Sequence, residues 1–233
     1  MTMNLFQFKI GDYDILSVGA LSQSQASQIK EALERPPAPS LNRLTGRAAP
    51  VFFHLEQAGP IVLKTYLRGG ILGRVNTRTY LNLSKSRSER EMEMLLFARK
   101  LGVNAPEPLA WVKKGRFLIQ TWLILKEAVC VEPLSIIAGI NEKKALSYTD
   151  EIRRQVRLLI QARLHHVDLH PGNVLVRNTG EVFIIDFDKA RQVSEKPSLL
   201  SRRYEERWRR AVLKHRLPES IGQMITFHEP WRS

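Results

Sequence analysis

Between residues 165 and 187 the chain reads His165-His-Val-Asp-Leu-His-Pro-Gly-Asn173, then Val174-Leu-Val-Arg-Asn-Thr-Gly180 and, after Glu181, Val182-Phe-Ile-Ile-Asp-Phe187. The apolar runs 174–176 and 182–185, joined by Arg177-Asn-Thr-Gly180, predict a β-hairpin, with Gly180 suited to positive φ. A hairpin brings the residue before its first strand close to the residue after its second. Asp168, Asn173 and Asp186 are therefore expected to converge at the mouth of a cleft. Two carboxylates and an amide oxygen are hard ligands of the kind magnesium prefers, and phosphoryl transfer needs such a set. A further carboxylate then orients the attacking hydroxyl.

Working outward, residues 149–164 place Ile152, Val156, Leu159, Ile160 and Leu164 at helical spacing, with Thr149 or Asp150 as the cap. Upstream, runs 51–55 and 61–67 flank Gln57-Ala-Gly-Pro60, a second hairpin signal, and the later run carries Lys64. Met92, Leu95, Leu96 and Leu101 predict a helix over 86–101 ending at Gly102, with Glu89, Glu91 and Glu93 in its first turns. Beyond Pro106 and Pro108, a strand pair is expected through Trp111 and 117–125. Residues 1–40 hold a short alternating segment, a polar stretch and Arg35-Pro-Pro-Ala-Pro39, and read as an N-terminal extension. The divisions expected are 1–40, a first lobe over 41–125 and a second over 126–233.

His166-Val-Asp168, Asn173 five residues on, and Ile185-Asp-Phe187 repeat the order and spacing of a protein-kinase catalytic loop and metal-binding turn. Lys64, with an acidic helix about 27 residues later, supplies the lysine–glutamate pair that holds nucleotide phosphates in such enzymes. The fold class expected is α+β, a protein-kinase-like two-lobed fold: a small antiparallel sheet with one helix, then a mainly helical lobe carrying the catalytic hairpin. Asp168-x-x-x-x-Asn173, Asp186 or Lys64 alone would be commonplace; their joint order is what points to a phosphotransferase. His166 and His170 are four apart and would suit zinc on a helix. Pro171 and Gly172 argue against a helix there, so His166 is read as a brace for the loop.

The segments Val62-Leu-Lys-Thr-Tyr-Leu-Arg-Gly-Gly-Ile71, Arg78-Thr-Tyr80, Arg90-Glu-Met-Glu-Met-Leu95, Leu101-Gly-Val-Asn-Ala-Pro-Glu-Pro108 and Ile184-Ile-Asp-Phe-Asp-Lys-Ala-Arg191 resemble the lipopolysaccharide core kinases. Within that family the likeness is greatest to the 3-deoxy-D-manno-octulosonic acid (Kdo) kinases, over roughly residues 42–215. The resemblance implies transfer of the γ-phosphate of ATP, with Mg2+, to a hydroxyl of Kdo, the 4-hydroxyl expected, in Kdo-lipid A or a related core acceptor. It implies Asp168 as the catalytic base or hydroxyl-orienting group, Asn173 and Asp186 as metal ligands, and Glu91 as the partner of Lys64, where spacing alone leaves Glu89 and Glu93 open. Gly46 and Arg47 would cover the phosphates. Asp188 stands where protein kinases have the glycine of Asp-Phe-Gly. A heptose kinase, another small-molecule or protein kinase of this fold, and a pseudokinase scaffold are the alternatives.

Charge narrows the partners. Lys and Arg number 36 against 23 acidic residues, a net +13, so an anionic partner is expected. No zinc-finger spacing or aromatic RNA-binding signature accompanies it, which argues against nucleic acid. Residues 199–216 set Leu200, Tyr204, Trp208 and Ala211 at helical spacing, with Arg202, Arg203, Arg207, Arg209, Arg210, Lys214 and Arg216 on the other faces. They read as a lobe-closing helix whose basic side suits an anionic membrane surface. No signal peptide or bilayer-length apolar run is seen, and one cysteine, Cys130, excludes an internal disulfide. The location expected is cytoplasmic, peripheral on the inner membrane.

Overall fold

The computed structural model describes residues 5–35, 49–66, 80–81, 85–116 and 118–227. Two compact units form, residues 1–93 with 107–127, and residues 94–106 with 128–233. In the first, alternation of buried and exposed residues makes β1 (Phe6–Ile10) and β2 (Tyr13–Ser17) a hairpin that enters the main sheet through β2. Helix α1 (Gln23–Glu34) follows, started by a capping box in which Ser22 and Gln25 satisfy each other's backbone amides. The segment expected as an extension thus contributes two strands and a helix.

Strands β3 (Val51–Leu55), β4 (Gly59–Thr65) and β5 (Tyr80–Leu81), helix α2 (Arg87–Lys100), and strands β6 (Pro108–Lys114) and β7 (Leu118–Lys126) complete the set. The antiparallel order is β1-β2-β6-β7-β4-β3, with β5 paired to the start of β7. The hairpins expected around Gln57-Ala-Gly-Pro60 and between β6 and β7 are both present.

Strand side chains alternate between faces. On one face Ile61, Leu63, Val112, Trp122 and Ile124 pack with Tyr13 and Ile15 beneath Ile29, Ala32 and Leu33 of α1. The alternate residues therefore belong to the opposite face. There Trp111 donates to Ser88 Oγ at 2.9 Å just inside α2, and Lys64 meets Glu91 of the same helix.

The second unit comprises the rest of α2 and the turn after it, then β8 (Val131–Pro133), α3 (Leu134–Ile140), α4 (Glu142–Leu146), α5 (Thr149–Gln161) and β9 (Leu164–His165). Next come a single 3-10 turn (Pro171–Asn173), β10 (Val174–Arg177), β11 (Val182–Ile184), a second such turn (Phe187–Lys189), β12 (Arg191–Gln192), α6 (Pro197–Lys214) and α7 (Glu219–Gly222). The stripe expected on α5 is buried at Ile152, Val156, Leu159 and Ile160, whereas Leu164 lies in β9. Neither Thr149 nor Asp150 caps α5. Its first position follows Tyr148, and the Thr149 hydroxyl instead donates to Leu146 O at 2.7 Å because α4 leads straight into it.

Gln155 interrupts the apolar stripe of α5 and is fully buried. Its side chain accepts from Asn104 N (3.0 Å) and donates to Val182 O (2.9 Å), while Ile184 N donates to Asn104 O. Residues 101–106 are tied in this way to both α5 and β11. On α6, Leu200, Tyr204, Trp208 and Ala211 are buried as the spacing predicts. Burying a side chain the size of Leu200 contributes roughly 1.5–3 kcal/mol.

Candidate functional site

The hairpin β10–β11 forms with Val174 opposite Ile184, and Gly180 takes φ +89° in its turn. Ile185 N donates to Asn173 O at 3.0 Å, so Asn173 and Asp186 lie at one end of it. The excursion is closed at its base, where His165 pairs with Arg191 in the β9–β12 ladder. Residues 166–173 and 185–190 are thus two arms of one clamped loop.

Inside that loop the backbone is pinned by side chains. Asn173 Nδ2 donates to Asp168 O at 3.0 Å, which engages the amide nitrogen and keeps Oδ1 as the acceptor of that side chain. Gly172 N donates to His170 Nδ1 at 3.0 Å, and a Cβ on Gly172 would stand 2.9 Å from His170 Cε1, so the turn has room only for glycine. His166 Nε2 donates to Ile185 O at 2.9 Å and its ring meets Phe187 edge-on at 4.7 Å. Since a carbonyl only accepts, His166 carries its proton on Nε2. Burial holds its pKa below the usual histidine value, so it stays neutral.

Tyr204 anchors the loop to α6. Its hydroxyl donates to Leu164 O (2.7 Å) and accepts from His166 N (2.7 Å). Asp186 adopts the left-handed conformation, φ 67° and ψ 60°, which a non-glycine residue holds only when its surroundings impose it. Asp188, in the place of a glycine, sits in the 3-10 turn that follows.

Asp168 is partly exposed and flanked by two cations that sequence reasoning did not assign to it. Lys189 Nζ lies 2.8 Å from Oδ2, and Arg207 Nε lies 3.9 Å from Oδ1. Burial works against its charge, but the Lys189 hydrogen bond and charge, followed by Arg207, outweigh burial and hold Asp168 below the usual carboxylate range. Lys189 was within reach of the sequence, being three residues beyond Asp186. Arg207 is grouped by spacing with the basic residues outside the apolar stripe of α6; the helix turns it toward Asp168 and leaves its side chain 28% exposed.

In the first unit Lys64 Nζ is 2.5 Å from Glu91 Oε1, and Tyr66 Oη donates to Glu91 Oε2. Glu91 is almost fully buried, so its charge depends on these partners. Glu93 pairs with Lys85 instead. Tyr66 is a partner that the sequence reading did not name, although its alternation with Lys64 along the strand put it on the same face. Gly46, Arg47 and Arg68-Gly-Gly70 lie outside the described residues.

A lipopolysaccharide kinase family model, described as Kdo/WaaP, matches residues 34–219, a span that includes every element just described from β3 to α6. The chain belongs to the lipopolysaccharide kinase (Kdo/WaaP) family. Curated relatives named 3-deoxy-D-manno-octulosonic acid kinase include one from Vibrio cholerae, 32% identical over 64% of this chain and 64% of that protein. Another, from Vibrio parahaemolyticus, is 28% identical over 70% of this chain and 74% of its own length. The chain therefore spans less than two thirds of the first of these relatives. Among solved structures, a Toxoplasma gondii rhoptry antigen kinase domain matches with TM-score 0.38 at 13% identity, over 67% of this chain and 50% of that one. For the Kdo/WaaP family member described here, no helix among the described residues is long and apolar enough to cross a membrane.

Asn173 and Asp186 suit magnesium by chemistry: both offer oxygen, and Asn173 has its nitrogen already engaged. Among the described residues no three His, Cys, Asp or Glu gather as a metal site. Any metal here would therefore rely on the asparagine, on water and on substrate oxygens.

Proposed function

We propose that this chain transfers the γ-phosphate of ATP to a hydroxyl of Kdo, specifically the 4-hydroxyl, in the inner core of lipopolysaccharide. The observation that carries this reading is Asp168, an ionised carboxylate on a clamped loop whose arms end in Asn173 and Asp186, in a chain of the Kdo/WaaP family. The name its relatives carry, 3-deoxy-D-manno-octulosonic acid kinase, supplies the acceptor.

Asp168 accepts the hydrogen bond of the acceptor hydroxyl and aims its oxygen at phosphorus. As the new oxygen–phosphorus bond forms, the bond from the γ-phosphorus to the β,γ-bridging oxygen breaks and ADP leaves. The hydroxyl proton passes to Asp168 and then to solvent. A carboxylate held below its ordinary pKa is a weak base, and that suffices because charge on the hydroxyl develops late in a loose transition state. Asn173 and Asp186 are the magnesium ligands in this reading; the metal, when bound, neutralises charge on the phosphate oxygens. Lys64, oriented by Glu91, takes nucleotide phosphate oxygens.

The work is placed at the cytoplasmic face of the inner membrane. Helix α6 exposes Leu199 and Leu213 among Arg202, Arg209, Arg210 and Lys214, a face suited to anionic lipid. The test is incubation with ATP, magnesium and purified Kdo-bearing lipid A, followed by mass spectrometry. One added phosphate on Kdo is expected, and none with Asp168→Ala. Phosphate on heptose or on protein, with Kdo unmodified, would overturn the substrate assignment.

A further inference from the structure

The guanidinium of Arg207 has more hydrogen-bonding capacity than the protein uses. Among the described residues its sole acidic neighbour is Asp168, at 3.9 Å, and it donates no hydrogen bond. Asp168 is already engaged, because Lys189 holds Oδ2 at 2.8 Å. One carboxylate therefore faces two cations, and one positive charge is left over beside the proposed catalytic oxygen. A half-buried guanidinium with its donors unspent is costly unless a ligand accepts from them.

Position indicates which ligand. Lys189 approaches from the turn that follows Asp186, the side given to metal and phosphate. Arg207 reaches the other oxygen, Oδ1, from α6. Beside it His170 stacks on His215 with ring centroids 6.2 Å apart. Because Nδ1 accepts from Gly172 N–H, the ring proton of His170 sits on Nε2, which is left to donate. The group next to Asp168 on this side is thus a planar cationic fork with a neutral donor beside it, an arrangement that matches a carboxylate.

We infer that Arg207, assisted by His170, is a specificity-determining residue that binds a carboxylate on the acceptor sugar and so sets the neighbouring hydroxyl against Asp168. The inference rests on the proposed acceptor, whose name in the relatives is that of an acid.

The test compares Kdo-bearing lipid A with the same acceptor converted to its carboxyl methyl ester, in wild type, Arg207→Gln and Arg207→Lys. Wild type is expected to favour the acid in kcat/KM by about 10- to 100-fold, the range of a lost charge-assisted bidentate contact. In Arg207→Gln the acid-to-ester ratio collapses toward one. Arg207→Lys, which keeps the stem and the charge but not the fork, gives an intermediate ratio and guards against a folding artefact. The ATP KM stays within about 2-fold throughout. An unchanged acid-to-ester ratio, or a rise in ATP KM with equal loss on both acceptors, would place Arg207 on the nucleotide instead and overturn the inference alone. Wild type inert toward both acceptors would overturn the acceptor assignment and the inference with it.

Discussion

Asp168 stays ionised although partly buried, because Lys189 and Arg207 together exceed the effect of desolvation. Removing Lys189 must then raise its pKa. Lys189→Ala is expected to move the acid limb of a kcat/KM–pH profile upward, and a limb that stays in place would separate Asp168 from that limb. His170 behaves in the opposite way. Its pKa in the fold is about 4 against 6.5 for the free side chain, so the unfolded chain binds the proton first. Stability is fully present above about 6.5 and is lost progressively as pH falls toward 4. Burial pushes His165 and His166 in the same direction. Urea midpoints measured between pH 7 and 4 should fall for wild type and fall less for His170→Gln.

Among the elements, the hairpin β10–β11 was readable because its evidence is local: two short apolar runs, a glycine in the turn, and flanking residues whose chemistry makes sense only if they meet. Helix α1 was equally local and was passed over, although Ser22-Gln-Ser-Gln25 spells a capping box. The partners of Asp168 are a different matter. Arg207 reaches it because it borders the stripe of α6 that Tyr204 and Trp208 bury, a tertiary fact that no spacing near Asp168 carries. Tyr204 joins the helix to the loop. Tyr204→Phe removes the acceptor of His166 N and the donor to Leu164 O, both buried, and should cost about 1–3 kcal/mol in denaturant unfolding. A loss below the error of that measurement would mean that the loop is held by its own turns.

For the molecule as a whole, a net charge of +13 concentrates partly on the outward face of α6. Each charge at an anionic bilayer is worth about 1 kcal/mol. Substituting Arg202, Arg210 and Lys214 together by glutamate should therefore abolish co-sedimentation with vesicles containing acidic lipid at low salt, while wild-type binding weakens as salt rises. Binding by the triple variant equal to wild type would assign the attachment to another surface.

The buried amide of Gln155 has a further consequence at this scale. It fastens residues 101–106 to α5 and β11, and the stretch 94–106 that contains them is flanked on both sides by chain of the other unit. No single cut in the polypeptide yields either half intact. A fragment starting at residue 128 would lack Asn104, strand the Gln155 carbonyl oxygen in an apolar interior, and be expected to precipitate. Protein engineers seeking the portion that bears Asp168 must keep the whole chain or splice 94–106 back on.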